Sequence, residues 1–190
     1  MRSIIFQTEG LQCLSIHVDS AHEFAAASII AWLMHTREIL RSFSYNVGTI
    51  PYVNVPEKCC LQNLEALDLN HKSIIRVAPS YQRFTCLKSL SLRHVSISSL
   101  NPSLFIAVCP RIESLTLDAI EILTSGSQSL IELSSPILKC IFAKLVVVDK
   151  IILMADNLES LHLSVLNLNF FELISKNTLK HLKIKDVKVH

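Results

Sequence analysis

The stretch LKSLSLRHV, residues 87–95, has a near copy upstream, LEALDLNHK at 64–72, and three downstream: IESLTLDAI at 112–120, LESLHLSVL at 158–166 and LKHLKIKDV at 179–187. In every copy the fourth and sixth residues are apolar and are separated by a polar one. That is the period of a strand with one buried face. Looser copies are LQCLSI from Leu11, LRSFSY from Leu40 and LKCIFA from Leu138. The first apolar residues then stand 29, 24, 23, 25, 26, 20 and 21 residues apart.

A spacing of about 20–29 residues is that of a leucine-rich repeat. One repeat offers a single short strand and cannot bury its own leucines; stacked repeats can. The expected fold is therefore α/β: a leucine-rich-repeat solenoid with a curved parallel β-sheet and short helices or irregular returns on the convex side. It forms one domain, 1–190, of about seven or eight repeats. The longest return, AHEFAAASIIAWLMHTRE at 21–38, is rich in Ala and free of Gly and Pro, and predicts a helix. NPSLFIAVCP at 101–110 predicts one or two helical turns, capped by Asn101 and stopped by Pro110. The two shortest spacings leave room only for extended or 3₁₀ returns. SSPILKCIFA and VDKIILMADNLESLHL are candidates for an extra short strand there.

In L-x-x-L-x-L-x-x-N the last place holds Asn or Cys. Here it holds Lys72, Val95, Ile120, Val146, Leu166 and Val187, so an apolar seam replaces an Asn ladder. The second residue of successive blocks alternates in sign: Glu65, Lys88, Glu113, Lys139, Glu159, Lys180. On neighbouring strands about 4.7–4.9 Å apart, each carboxylate would lie between two ammoniums. Such a ladder supports register, and being self-neutralised it is a poor lure for a strongly charged partner.

Composition excludes several function classes. Half the residues are apolar and 18% are charged, too apolar for a disordered chain. The longest apolar runs are shorter than the ~20 residues that span a bilayer, and the first residues, MRSIIFQTEG, lack a secretory apolar core. A net charge of +2 gives no nucleic-acid footprint. The lysine-rich tail at 176–190 has no aromatic for base stacking. Gly10, Gly48 and Gly126 are isolated, so no phosphate-cradling loop exists. Six cysteines without a C-x-x-C pair, including the vicinal Cys59–Cys60, read as reduced thiols of a cytoplasmic or nuclear protein. The eight histidines show no metal-ligand spacing, and no nucleophile motif is present. No catalytic residue, cofactor or metal is expected, and no enzyme activity.

The blocks FTCLKSLSLRHVSIS (84–98) and VCPRIESLTLDAIEI (108–122) resemble the plant F-box/LRR-repeat proteins, which repeat CP-x-L-E-x-L-x-L with an apolar residue in the Asn place. IELSSPILKCIFA (131–143) resembles the same family's S-P-x-L-K block. The resemblance covers essentially the whole chain. It implies a protein-interaction module: in that family an F-box docks on the Skp-type subunit of a cullin–RING (SCF-type) ubiquitin ligase, and the repeats hold a protein substrate. The first repeat begins by Leu11, which leaves no room for an F-box, and the chain stops at KDVKVH without a polar capping repeat. The expectation is a repeat portion with both ends uncapped, reaching a Skp-type subunit only if a longer parent chain carries an F-box. The alternatives are a stand-alone scaffold or competitor that binds a protein without ligase docking, and a non-functional truncated paralogue. The residues expected to meet a partner line the exposed strand face: Asp68, Asn70, Ser91, Arg93, Thr116, Asp118, Phe142, Lys144, His162 and Lys183. Phe142 stands out as an aromatic at an otherwise polar position, either an anchor for a partner or packed by a convex-side neighbour.

Overall fold

The computed structural model describes residues 10–18, 24–47, 49–50, 62–70, 74–76, 84–98, 109–122, 130–146, 148–176 and 178–189. In chain order these form β1 (Cys13–His17), β2 (Phe24–Ala25), α1 (Ala26–Thr36), β3 (Ser42–Asn46), β4 (Thr49–Ile50), β5 (Ala66–Asn70), β6 (Ile74–Arg76), β7 (Ser89–Arg93) and β8 (Ser96–Ser98). They continue as β9 (Ser114–Asp118), β10 (Glu121–Ile122), β11 (Leu130–Ser134), β12 (Cys140–Lys144), β13 (Lys150–Met154), β14 (Ser160–Leu168), β15 (Phe170–Ile174) and β16 (His181–Val189). One strand from each of the eight sequence blocks joins a single sheet in the order β1-β3-β5-β7-β9-β12-β14-β16. Every pairing in it is parallel and in the same register, so equivalent residues of successive repeats stand side by side. This is a leucine-rich-repeat solenoid.

The alternation read in the sequence is realised as burial. In β5 and β9 the second and fourth residues are buried and the others half-buried. Leu67, Leu69, Leu90, Leu92, Leu115, Ile141, Leu161 and Leu163 form the inner row pair of one continuous core. Stacking is what buries them: Leu161 and Leu163 are 1% and 2% exposed, whereas their register partners Leu182 and Ile184 on the edge strand β16 are 58% and 57% exposed.

The first return is helical, over Ala26–Thr36 rather than the full 21–38. It buries Ala26, Ile29, Trp32, Leu33 and Thr36, the spacing of one helix face. The later returns that are described are strands. β6, β8 and β10 pair in parallel, as do β11, β13 and β15. The extra strand expected within VDKIILMADNLESLHL is β13, while β11 ends just as SSPILK begins. The helical turns expected at 101–108 lie outside the described residues, as does Cys59–Cys60. Ile131, Leu133, Ile151 and Leu153 of the return sheet face the main-sheet core across a small apolar cavity. The cavity arises because Ala143 stands where the adjacent strands carry Leu117 and Leu163.

Two backbone features join strand to return. Before four of the main-sheet blocks lies a turn closed by an N–H three residues on: Leu87 to Phe84, Ile112 to Cys109, Leu138 to Ser135 and Leu158 to Ala155. Its first residue is always buried. In two repeats the second is proline, Pro110 and Pro136, whose fixed φ suits that position. The CP and SP pairs are thus a buried small residue followed by a preset turn. After the fifth residue of the strand stretch comes a left-handed residue: His94, Ala119, Leu145 and, within the longer β16, Asp186 have φ of 51° to 53°. There the N–H of His94, Ala119 and Leu145 donates to the strand-end carbonyl of the next repeat, at 2.8, 2.9 and 3.1 Å. The main chain does what an Asn ladder would do, and Val95, Ile120 and Val146 are left to bury as the apolar seam.

A left-handed conformation costs an L-residue about 1–2 kcal/mol, and Leu145 is 42% exposed. Leu145→Gly is therefore expected to leave unfolding free energy within about 1 kcal/mol of the parent, because relieved strain offsets the extra freedom of the unfolded chain. Val146→Ala, one residue on and fully buried, is expected to cost about 2 kcal/mol. Chemical denaturation of both variants checks this, and a larger loss for Leu145→Gly would refute the strain account.

Desolvation pushes the buried Cys109 thiol up to about 12, which leaves almost no thiolate. A maleimide is expected to label the exposed Cys13 and Cys140 in the native protein. Cys109 should label only when the chain unfolds, with mass spectrometry reading each site.

Candidate protein-binding face

The first, third and fifth residues of each main-sheet strand point away from the core, and the common register turns them into three rows. The first row is small over most of its length: Cys13, Ser42, Ala66, Ser89, Ser114, Cys140, Ser160, then His181. The third-residue row runs Ser15, Ser44, Asp68, Ser91, Thr116, Phe142, His162, Lys183. The fifth-residue row runs His17, Asn46, Asn70, Arg93, Asp118, Lys144, Ser164, Lys185. The ten residues singled out in the sequence all fall in the last two rows, on one face.

Contacts within that face are local. Arg93 Nε donates to Ser91 Oγ at 3.1 Å and lies 3.9 Å from Asp68 Oδ1. Ser44 Oγ donates to Asp68 Oδ2 at 3.4 Å. Lys144 Nζ is 3.9 Å from Asp118 Oδ2. The Oδ1 atoms of Asp68 and Asp118 are buried and accept no hydrogen bond among the described residues; that of Asp68 is the oxygen facing Arg93. Phe142 meets His162 edge to face, ring centroids 4.6 Å apart at 84°. Its neighbour is thus on the solvent face itself, not on the return side. The His162 ring pKa is held below its ordinary value by desolvation and then by the Lys183 charge. Ser44, Asn46 and His17 belong to the same face and were passed over, although LQCLSI and LRSFSY carry the alternation that places them. Asn46 Nδ2 and His17 Nδ1 are 2.8 Å apart.

The charge ladder runs along one border of this face, on residues just before each strand, and Arg41 extends it by a rung. Lys88 Nζ donates to Glu65 at 2.9 Å, Lys139 to Glu113 at 2.7 Å and Lys180 to Glu159 at 2.9 Å; Arg41 lies 3.5 Å from Glu65. Glu113 and Glu159 do not each touch two ammoniums, as the alternation suggested. Each touches the lysine that reaches back from the next repeat, and feels the preceding one only through space. A second set of links, unread in the sequence, comes from the residue before the opening leucine. Asn63 donates to the Glu38 carbonyl at 2.7 Å, Asn157 to that of Pro136, and Thr178 to those of Asp156 and Leu158 at 3.1 and 2.8 Å.

No group of three metal-ligating side chains occurs among the described residues. No helix among them is long and apolar enough to cross a membrane.

The family model for the LRR repeats of FBD-associated F-box protein At5g56370 matches residues 42–184. The chain belongs to the plant F-box/LRR-repeat family. It is also 56% identical over 185 residues to the F-box/LRR-repeat protein At1g67190 of Arabidopsis thaliana. That alignment takes in 97% of this chain but 44% of the relative, so the chain spans less than half of the relative's length. No solved structure matches it. As leucine-rich repeats of this family, the chain is a protein-interaction module, and the three-row face is the broad continuous surface its repeats present.

The Glu113 carboxyl is held below its ordinary 4.5 by its hydrogen bond from Lys139, by that ammonium's charge, and by Lys88. A depressed folded pKa contributes stability in full above the unfolded value and loses it as pH falls through the folded one. Glu113→Gln is therefore expected to lower Tm slightly at pH 7, with the gap closing below about pH 4 and shrinking in about 1 M salt. Thermal melts across pH check this, and a gap that persists at pH 3 would assign the loss to packing instead.

Proposed function

We propose that this chain is the substrate-holding repeat region of an F-box/LRR adaptor of a cullin–RING, SCF-type ubiquitin ligase. The observation that supports the reading most is the match of nearly the whole chain to an F-box/LRR-repeat protein. The eight-stranded face, with its rows of polar side chains and the Phe142–His162 aromatic pair, offers a surface for a protein. Asp68, Asn70, Ser91, Arg93, Thr116, Asp118, Phe142, Lys144, His162 and Lys183 are its contact residues. The mechanism is positioning: a substrate held on the sheet is kept at high effective concentration near the ligase, and the repeats perform no chemistry. Docking on a Skp-type subunit belongs to an F-box only if a longer parent chain carries one, and not to the sheet. The free thiols suit a cytoplasmic or nuclear setting.

Immunoprecipitation of the full-length gene product and of residues 1–190 from the source tissue tests this. The full-length product is expected to recover a Skp-type subunit and a cullin together with a substrate. Residues 1–190 should recover the substrate without the ligase subunits. A full-length product free of Skp-type subunit would remove the adaptor reading.

A further inference from the structure

The solvent face is not uniform, and its chemistry points to the kind of segment it takes. On β5 to β9 the charges meet one another: Arg93 lies beside Asp68, and Lys144 of β12 beside Asp118. Along the border, Lys139 and Lys180 are held by Glu113 and Glu159. One cation of the third-residue row is left over. Lys183 on β16 forms no ion pair among the described residues and is exposed. Directly before it in the row stand His162 and Phe142. The edge-to-face contact fixes the Phe142 ring against its neighbour; Thr116 flanks it on the other side, and the adjoining first-residue row is small here, with Ser114, Cys140 and Ser160. An aromatic held in one orientation loses little freedom when a partner covers it.

We propose that this part of the face, Phe142, His162 and Lys183, binds an extended protein segment crossing the strands, with an apolar or aromatic side chain and a carboxylate two residues apart. The spacing comes from the sheet. From the middle of the Phe142–His162 pair to Lys183 is one and a half strand separations, about 7 Å. An extended peptide advances about 3.3 Å per residue and alternates its side chains, so residues i and i+2 share a face about 7 Å apart. One covers the aromatic pair and the other meets the ammonium. A basic segment would bring like charge to Lys183 and lose the only unneutralised attraction in the row. The inference rests on the reading of the strand face as the substrate surface, and narrows its substrate class.

A positional-scanning library of extended nonapeptides, selected on the intact 190-residue chain, tests it. The expected selection is Phe, Tyr or Leu separated by one residue from Asp or Glu, in one of the two orders. Phe142→Ala should weaken selected peptides at least tenfold. Lys183→Glu, at an exposed position where folding is not at risk, should exchange the selected carboxylate for Lys or Arg. Glu132→Gln on the return sheet should change nothing. Selection of basic peptides, or of acidic ones indifferent to Lys183→Glu, overturns the proposal. If selected peptides lack the acidic place but are lost on Phe142→Ala, the acidic class fails and the strand-face reading survives. Peptides indifferent to both face variants sink the strand-face reading as well. No enrichment at all refutes the extended segment, and leaves the adaptor reading to its own test with the Skp-type subunit.

Discussion

The structure depends on one constraint: a repeat of this kind has too few residues to cover its own leucines. The edge strand makes the point within a single molecule. The same two sequence positions are sealed in β14, which has β12 on one side and β16 on the other, and more than half exposed in β16, which pairs with β14 alone among the described residues. Burying a leucine is worth about 1.5–3 kcal/mol, and here that sum is collected by stacking. Stability is therefore a property of neighbouring pairs more than of any one repeat. It also explains why burial runs as unbroken rows through the sheet and into the returns.

Everything else keeps consecutive repeats in register so that this burial is collected. The turn with a buried first residue sets where each strand begins. The left-handed residue after the strand hands its N–H to the next repeat. Asn63, Asn157 and Thr178 tie one repeat's turn to the main chain of the repeat before it. The surface ladder adds a lysine-to-glutamate reach across the same step. Exposed pairs of this kind contribute little to stability in water. Their clearer effect is that a one-strand slip of register would put like charges side by side.

The same register builds the functional surface. Because equivalent residues align, a position that varies freely in sequence becomes a row on the solvent face, and a partner reads the rows rather than any one repeat. The inner residues are constrained by packing, while the outer ones are open to specificity. Phe142 among serines, threonine and histidine is the clearest local departure in those rows, and it lies two strands from Lys183, which has no ion pair among the described residues.

Periodicity by itself determined the parallel sheet, the number of its strands and the side that faces solvent. A period-two pattern with a buried face admits one orientation, and a copy about every 20–29 residues requires stacking. It also placed Asp68, Arg93, Asp118, Phe142 and His162 on one face, for the same reason. Tertiary structure decided the rest. The returns became strands at β11, β13 and β15, because they pack in parallel against one another as well as on the core; short apolar runs are ambiguous until that partner exists. Asn63 and Thr178 found carbonyls one repeat away, a contact no spacing within a repeat displays. Phe142 lies against His162, not against a return, because rotamer choice follows neighbours brought in from other repeats. The left-handed bends at Ala119 and Leu145 run against the preference of those residues. They hold because the next repeat's strand end receives the N–H that the bend turns outward.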